Sequence, residues 1–232
     1  MKVSALIPCF NEEKTIELIV NKILTSDNFK DGNEIIIIDD CSIDESKKII
    51  EKLCKENPQV KGYYHNHNQG KGAALNTGLK YCSGDIIIIQ DADLEYDPKD
   101  YDKLILPFLE TDADVVYGSR FLGGDYVRLH FFWHFLANKI LTLLTNIMTN
   151  LNMTDMETGY KVFKKDVISQ IDIEEKTFGV EPEITIKLAK KNFVFYEVPI
   201  SYKGRSYKEG KKITLKDAFI AVYCIFKYKF FR

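Results

Sequence analysis

Long apolar runs are missing from this 232-residue chain. No segment reaches the roughly 18 uninterrupted apolar residues of a bilayer-spanning helix. The two nearest, residues 129–151 and 217–231, are broken by polar groups, so the chain is expected not to span a membrane. A charge excess is also missing. The net charge of −2 argues against nucleic acid as the main partner, because phosphate-backbone binding draws on a strong basic surplus. The five cysteines (Cys9, Cys41, Cys54, Cys82, Cys224) form no CxxC and lie near no histidine pair, which removes structural zinc. Their odd number, with no signal peptide, fits a reducing cytosol. His130 and His134 share a helical face but have neither an intervening glutamate nor a third ligand, so zinc is not expected there either. Internal repeats and low-complexity linkers are absent, which favours one continuous domain.

What the chain has instead is isoleucine. Residues 86–89 are four isoleucines, followed by Asp91-Ala92-Asp93 and Glu95, and residues 35–38 are four more, followed by Asp39-Asp40. Unbroken β-branched runs of this length suit strands buried on both faces of a parallel sheet. Further strands are expected at 3–7, 62–65, 114–117, 160–163 and 194–198. Helical patterns fall between them: through Ile16 to Ile23, from about Asp44 to Lys55, from Ala73 to Tyr81, and at 99–110, 129–151, 181–191 and 217–231. Alternating strands and helices over the first 120 or so residues predict βαβ units and a mostly parallel central sheet flanked by helices, an α/β fold.

Acids at strand ends lie where open α/β sheets bind ligands. Asp91 and Asp93 alternate across Ala92, so extended geometry would aim both carboxylates one way, onto a cation. Hard oxygen ligands suit Mg²⁺ or Mn²⁺ shared with substrate phosphates, whereas a plain acidic turn before Pro98 is the structural alternative. Asp39 and Asp40 suit a ribose hydroxyl or a base N–H, or else cap the next helix. Asn68-Gln69-Gly70-Lys71-Gly72 lacks the spacing of a phosphate loop; it is either a turn or a place where backbone approaches a ligand and Lys71 reaches a phosphate. The basic loop 204–212, with Arg205 and Lys211, is a solvated charge run or a lid over a departing diphosphate. Cys9 and Cys41 follow strands and are expected to pack as small hydrophobes. Helices 129–151 and 217–231 carry apolar faces with aromatic and basic borders, suited to a core or to a membrane interface.

Taken together, ALIPCFNEE (5–13), IIIIDDCSIDES (35–46), NQGKGAALNTGLKYCSGDIIIIQDADLEYDP (68–98), VVYGSRF (115–121), TDMETGYKVFKKD (154–166), FGVEPEI (178–184) and GRSYKEGKK (204–212) resemble family-2 glycosyltransferases, specifically the dolichyl- or polyprenyl-phosphate sugar synthase group. The resemblance spans nearly the whole chain. It implies a GT-A fold over residues 1–212, with 213–232 as a C-terminal amphipathic helix on a membrane surface. It also implies Mg²⁺ or Mn²⁺, a UDP- or GDP-hexose donor, a polyprenyl-phosphate acceptor, inversion at the anomeric centre, and a peripheral place on the cytoplasmic face of a membrane. By position, Pro8, Asn11, Glu12 and Asp39 would contact base and ribose, and Lys211, with Arg205, the donor phosphates. Asp91, Asp93 and Glu95 would hold the metal, although some relatives have glutamine where Glu95 stands. Arg120 and Arg128 would receive the acceptor phosphate, Asp155, Gly159 and Glu181 would line the sugar pocket, and Arg205 would close on the diphosphate. A family-2 enzyme acting on a sugar hydroxyl, with an acid such as Asp155 as base, is the alternative. A receiver-like signalling domain would need only about 120 residues and leaves 154–212 unexplained.

Overall fold

Alternation inside the isoleucine runs builds the sheet. In β2 (Glu34–Asp39), Ile36 and Ile38 enter one hydrophobic cluster, while Ile35 and Ile37 enter the cluster on the opposite face. β4 (Ile86–Ile89) does the same, with Ile87 and Ile89 on one face and Ile86 and Ile88 on the other. Successive side chains of a strand point to opposite faces, so an all-isoleucine strand needs a layer on each side. The computed structural model, which describes residues 1–26, 29, 32–123, 131–205 and 215–232, supplies both layers.

The remaining strands are β1 (Val3–Cys9), β3 (Val60–Tyr64), β5 (Val115–Ser119), β6 (Lys161–Lys164) and β7 (Phe195–Pro199). Among the described residues they form one seven-stranded sheet in the order β3-β2-β1-β4-β6-β5-β7. The β1–β2, β2–β3, β1–β4 and β5–β7 pairings are parallel, whereas β6 runs antiparallel to both β4 and β5. The mostly parallel expectation holds, with β6 as the exception. Helices α1 (Ile16–Leu24), α2 (Ser46–Glu56) and α4 (Tyr101–Glu110) cover one face through Ile16, Ile19, Ile23, Ile50, Leu53 and Leu104. The other face is covered by α3 (Lys71–Leu79), α5 (Phe132–Thr149), α7 (Val180–Ala189) and α8 (Leu215–Phe230). A 3₁₀ turn at Pro98–Asp100 and the short α6 (Lys165–Ile168) were not anticipated from periodicity. Both are too short to give a repeating apolar signal.

The last helix is integral to the core. Ala221, Cys224, Ile225 and Tyr228 are buried in the same cluster as β2 and β4, and the Tyr228 hydroxyl donates to Glu175 Oε1 at 2.7 Å.

Candidate active site

Strand direction brings the chemistry to one edge. β1, β2, β3 and β4 run parallel, and two antiparallel steps through β6 make β5 and β7 parallel to them as well. Segments 8–13, 39–46, 65–72, 90–97, 119–121 and 200–205 therefore leave the sheet at the same end, and 155–159 enters β6 there. This is the crevice that open α/β sheets use for ligands.

At the β1 and β2 ends the loops brace each other. Asn11 N–H donates to Ser42 Oγ (2.9 Å), Ile43 N–H donates to Asn11 Oδ1 (2.9 Å), and Glu12 N–H donates to Ser46 Oγ (2.9 Å). Asn11 (φ 54°) and Cys41 (φ 62°) both hold left-handed backbone, a strain that clusters at binding sites. Pro8 sits beside them at the end of β1, half-buried. Asp39 is 2 % exposed, and its Oδ1 has no hydrogen-bond partner among the described residues. A buried carboxylate oxygen left open this way suits a ligand hydroxyl or N–H. The thiol of Cys9 is inert, because burial and the Asp39 charge push it up to about 12.

Asp40 does something else. Its carboxylate accepts from His65 Nδ1 (2.6 Å), Gln69 N–H (2.9 Å) and Gly70 N–H (2.7 Å), while His65 Nε2 meets Thr77 Oγ1 at 2.9 Å. The Asn68–Gly72 segment is thus a held loop rather than a phosphate cradle, and it opens α3 with Lys71. Gly70 has φ +92°, and a Cβ there would collide with the Lys176 carbonyl, whose oxygen also receives Gly72 N–H at 2.8 Å. Gly70→Ala is expected to cost more than about 1 kcal/mol, because its Cβ must displace the Lys176 carbonyl from a left-handed backbone position; thermal unfolding reads the loss.

The acids after β4 are split between two cations. β4 ends at Ile89, so residues 91–95 bend instead of extending. The expected alignment of Asp91 with Asp93 fails for that reason. Asp91 pairs with Lys71 Nζ at 2.9 Å, and the same ammonium reaches Glu181 at 3.0 Å. Asp93 and Glu95 turn to Arg205, whose guanidinium contacts Asp93 Oδ2 (2.5 Å), Glu95 Oε1 (3.1 Å) and Glu12 Oε1 (3.3 Å). The segment carrying Arg205 is pinned to these acids by Lys203 N–H to Glu95 O (2.8 Å) and by the Tyr202 hydroxyl to Glu95 Oε2 (2.7 Å). Burial, reinforced by Asp91 and Glu95, pushes Asp93 up to about 7, while Arg205 opposes the shift. Among the described residues, no three metal-binding side chains converge on one point. The donor set still fits a hard divalent cation: three carboxylates within five residues, with Arg205 supplying the positive charge that Asp93 and Glu95 otherwise lack.

On the other side of the cleft, Arg120 and Asp155 form a bidentate pair, with Nε to Oδ2 at 2.6 Å and Nη2 to Oδ1 at 2.7 Å. Burial raises the carboxyl, but Arg120 and Asn138 outweigh it and hold Asp155 below the usual carboxylate range. Glu197 on β7 props the same loop by accepting Thr154 and Asp155 N–H groups. Gly159 N–H donates to the Tyr96 hydroxyl (2.8 Å), and a Cβ on Gly159 would strike Asp91 Oδ2. Glu181, in the first turn of α7, is 7 % exposed. Of the residues expected at the site, Arg128 and Lys211 lie outside the described residues. Sequence reasoning missed His65, Thr77, Glu197 and Lys161. His65, just past the end of β3, and Lys161, opening the apolar β6, carried a signal; Thr77 inside α3 and Glu197 in the middle of β7 carried none.

The family model for glycosyl transferase family 2 matches residues 4–172. The chain belongs to glycosyl transferase family 2. This glycosyltransferase is 30 % identical over 221 residues to a dolichol-phosphate mannosyltransferase of Pyrococcus furiosus, covering 92 % of the chain and 61 % of that relative. It is 28 % identical to an undecaprenyl-phosphate mannosyltransferase of Micrococcus luteus, covering 91 % of the chain and 87 % of that protein. Among solved structures, glucosyl-3-phosphoglycerate synthase of Mycobacterium tuberculosis, in complex with Mn²⁺, UDP and glucosyl-3-phosphoglycerate, superposes with TM-score 0.74 at 19 % identity, over 98 % of this chain and 79 % of that one. The GT-A fold expected from the motifs is therefore the fold of the chain.

Proposed function

We propose that the enzyme transfers a hexose, with inversion, from a UDP- or GDP-sugar to a polyprenyl monophosphate at the cytoplasmic face of a membrane. One observation carries this reading: the helix that braces the catalytic edge also presents an apolar outer face. From α5, Asn138 donates to Asp155 Oδ1 and Lys139 donates to the Thr154 carbonyl. On its outer side, Trp133, Ile140, Leu143 and Ile147 form an exposed helical stripe, with Phe131 and Phe132 exposed at its start. Neighbouring α8 exposes Phe219, Tyr223, Phe226 and Phe230 at the same spacing. Exposed apolar stripes beside a polar site suit an interfacial position on lipid. No described helix is long and apolar enough to cross a membrane.

The acceptor side supports a phosphate nucleophile. A phosphate is already ionised near neutral pH and needs no strong base. Asp155, the candidate base of the hydroxyl-acceptor alternative, has both oxygens engaged by Arg120, and its depressed carboxyl makes it a weak one. Arg120 faces the acceptor, and Asp39, Asn11, Glu12 and Pro8 surround the base and ribose. Glu181 and Gly159 line the sugar, and Lys71 and Arg205 approach the donor phosphates. Asp91, Asp93 and Glu95 would hold Mg²⁺ or Mn²⁺, which when bound stabilises charge on the leaving diphosphate. Alignment of the two substrates supplies the rest.

The test uses a radiolabelled nucleotide hexose, Mn²⁺ and a polyprenyl phosphate in detergent, followed by organic extraction. Label in the organic phase with the phosphate lipid, and none without it, is the expected result. Label that stays aqueous and appears on a free sugar acceptor would overturn the reading in favour of a hydroxyl acceptor.

A further inference from the structure

Lys71 reaches Asp91 and Glu181 from a loop packed backbone against backbone. The two glycines that flank it lie on segment 172–177, which has neither helix nor strand. Gly72 N–H donates to the Lys176 carbonyl at 2.8 Å. A Cβ on Gly70 would collide with that same carbonyl, and one on Gly72 with the carbonyl of Glu175. Farther along α3, Asn76 Nδ2 donates to the Ile173 carbonyl at 3.2 Å. The backbone on both sides of Lys71 therefore rests on this segment, and a shift of the segment shifts the lysine.

A segment without regular structure must find partners for its backbone groups elsewhere. Glu183 on α7 supplies them. Its Oε1 accepts from Glu174 N–H at 2.7 Å, and its Oε2 accepts from Glu175 N–H at 2.8 Å. Lys187, one turn on, ties the same carboxylate (2.7 Å) to the Asp172 carbonyl (2.6 Å). From the opposite side, the Tyr228 hydroxyl and Lys227 Nζ of α8 both donate to Glu175 Oε1 at 2.7 Å. Acids in the first turn of a helix commonly serve its dipole from an exposed position. Glu181 and Glu183 are instead 7 % and 0 % exposed. Glu181 meets the tip of Lys71, while Glu183 holds the segment on which the root of Lys71 rests. One turn of α7 thus fixes the lysine at both ends.

Resting on the donor reading above, we propose that Glu183 is a positioning residue for the transfer: it acts through residues 174–176 to hold Lys71 where the donor phosphates arrive. It touches neither donor nor acceptor.

The experiment is a double-mutant cycle on nucleoside diphosphate affinity, read by calorimetric titration of UDP and of GDP with Mn²⁺ present. Lys71→Ala is expected to lose about tenfold or more, since hydrogen bonds to charged groups are the strong ones. Glu183→Gln is isosteric but turns an amide nitrogen onto one of the two backbone donors, and should lose about fivefold. In the Lys71→Ala background the same change should lose less than about twofold, because the group it positions is gone. The unfolding temperature should fall equally in both backgrounds, so a loss of stability alone cannot produce that pattern. Losses that multiply in the double variant overturn the proposal, as does wild-type affinity in Glu183→Gln. Wild-type affinity in Lys71→Ala overturns the donor-phosphate role of Lys71 itself, and this proposal with it. Asn76→Ala removes a partly exposed contact to the same segment and should lose about threefold, again only while Lys71 is present. It decides the matter by the same criterion if Glu183→Gln fails to fold.

Discussion

Asp93→Ala, assayed with Mn²⁺ present, is expected to lose about a thousandfold or more in kcat/KM while unfolding near the wild-type temperature. Cation stabilisation of a leaving diphosphate contributes several kcal/mol, and each 1.36 kcal/mol of barrier is tenfold in rate. The fold should tolerate the change. Asp93 is 8 % exposed and sits among like charges, with Asp91 and Glu95 helping burial to raise its carboxyl to about 7. Removing that carboxylate relieves repulsion at the same time as it removes a proposed metal ligand. Stability and activity therefore separate, and a steady-state assay beside a melting curve reads both. Turnover within tenfold of wild type would remove Asp93 from the metal's ligand set.

Arg205→Ala should move two quantities in opposite directions. Without donor, the guanidinium occupies oxygens of Glu12, Asp93 and Glu95, which a divalent ion would share in part. A competitor bound to the same oxygens lowers apparent affinity. Its removal should tighten Mn²⁺ binding about tenfold, as read by the free-ion paramagnetic resonance signal. In the proposed mechanism the same residue would supply positive charge to the departing diphosphate, so kcat/KM should fall about a hundredfold. Arg205→Lys should fall between, because an ammonium is a point charge that cannot bridge three carboxylates in one plane. Unchanged Mn²⁺ affinity in Arg205→Ala would show that the contact does not compete with the metal.

Much of the fold was legible because the strands are saturated with isoleucine. Ile35–Ile38 and Ile86–Ile89 could only be strands with a layer on each face, and the acids after them marked the ligand edge. Periodicity is a local signal, so it missed what depends on distant pairing. Tyr160–Phe163 read as a strand, but not as one lying antiparallel between β4 and β5, since its register with Ile86–Ile88 joins residues more than 70 positions apart. Candidate site residues were legible as types, not as pairs. Arg120 and Asp155 were expected on separate substrates, yet they lock together. Asp40 looked like a ligand contact, but His65 and the Gly70 amide claim it. Side-chain pairing depends on the tertiary approach of loops, which no stretch of sequence displays.

The insertion of β6 also sets the order in which the molecule can be completed. β4 and β5 are neighbours in the chain but not in the sheet, and the gap between them closes only when residues 161–164 arrive. A nascent chain that stops short of Lys161 leaves one edge of β4 and both edges of β5 unpaired, since β7 follows later still, an invitation to intermolecular pairing. The loop carrying Asp155, Glu157 and Gly159 enters with that same strand. Asp155, Glu157 and Gly159 can therefore take their places only after the strands that carry Asp39 and Asp91 have emerged.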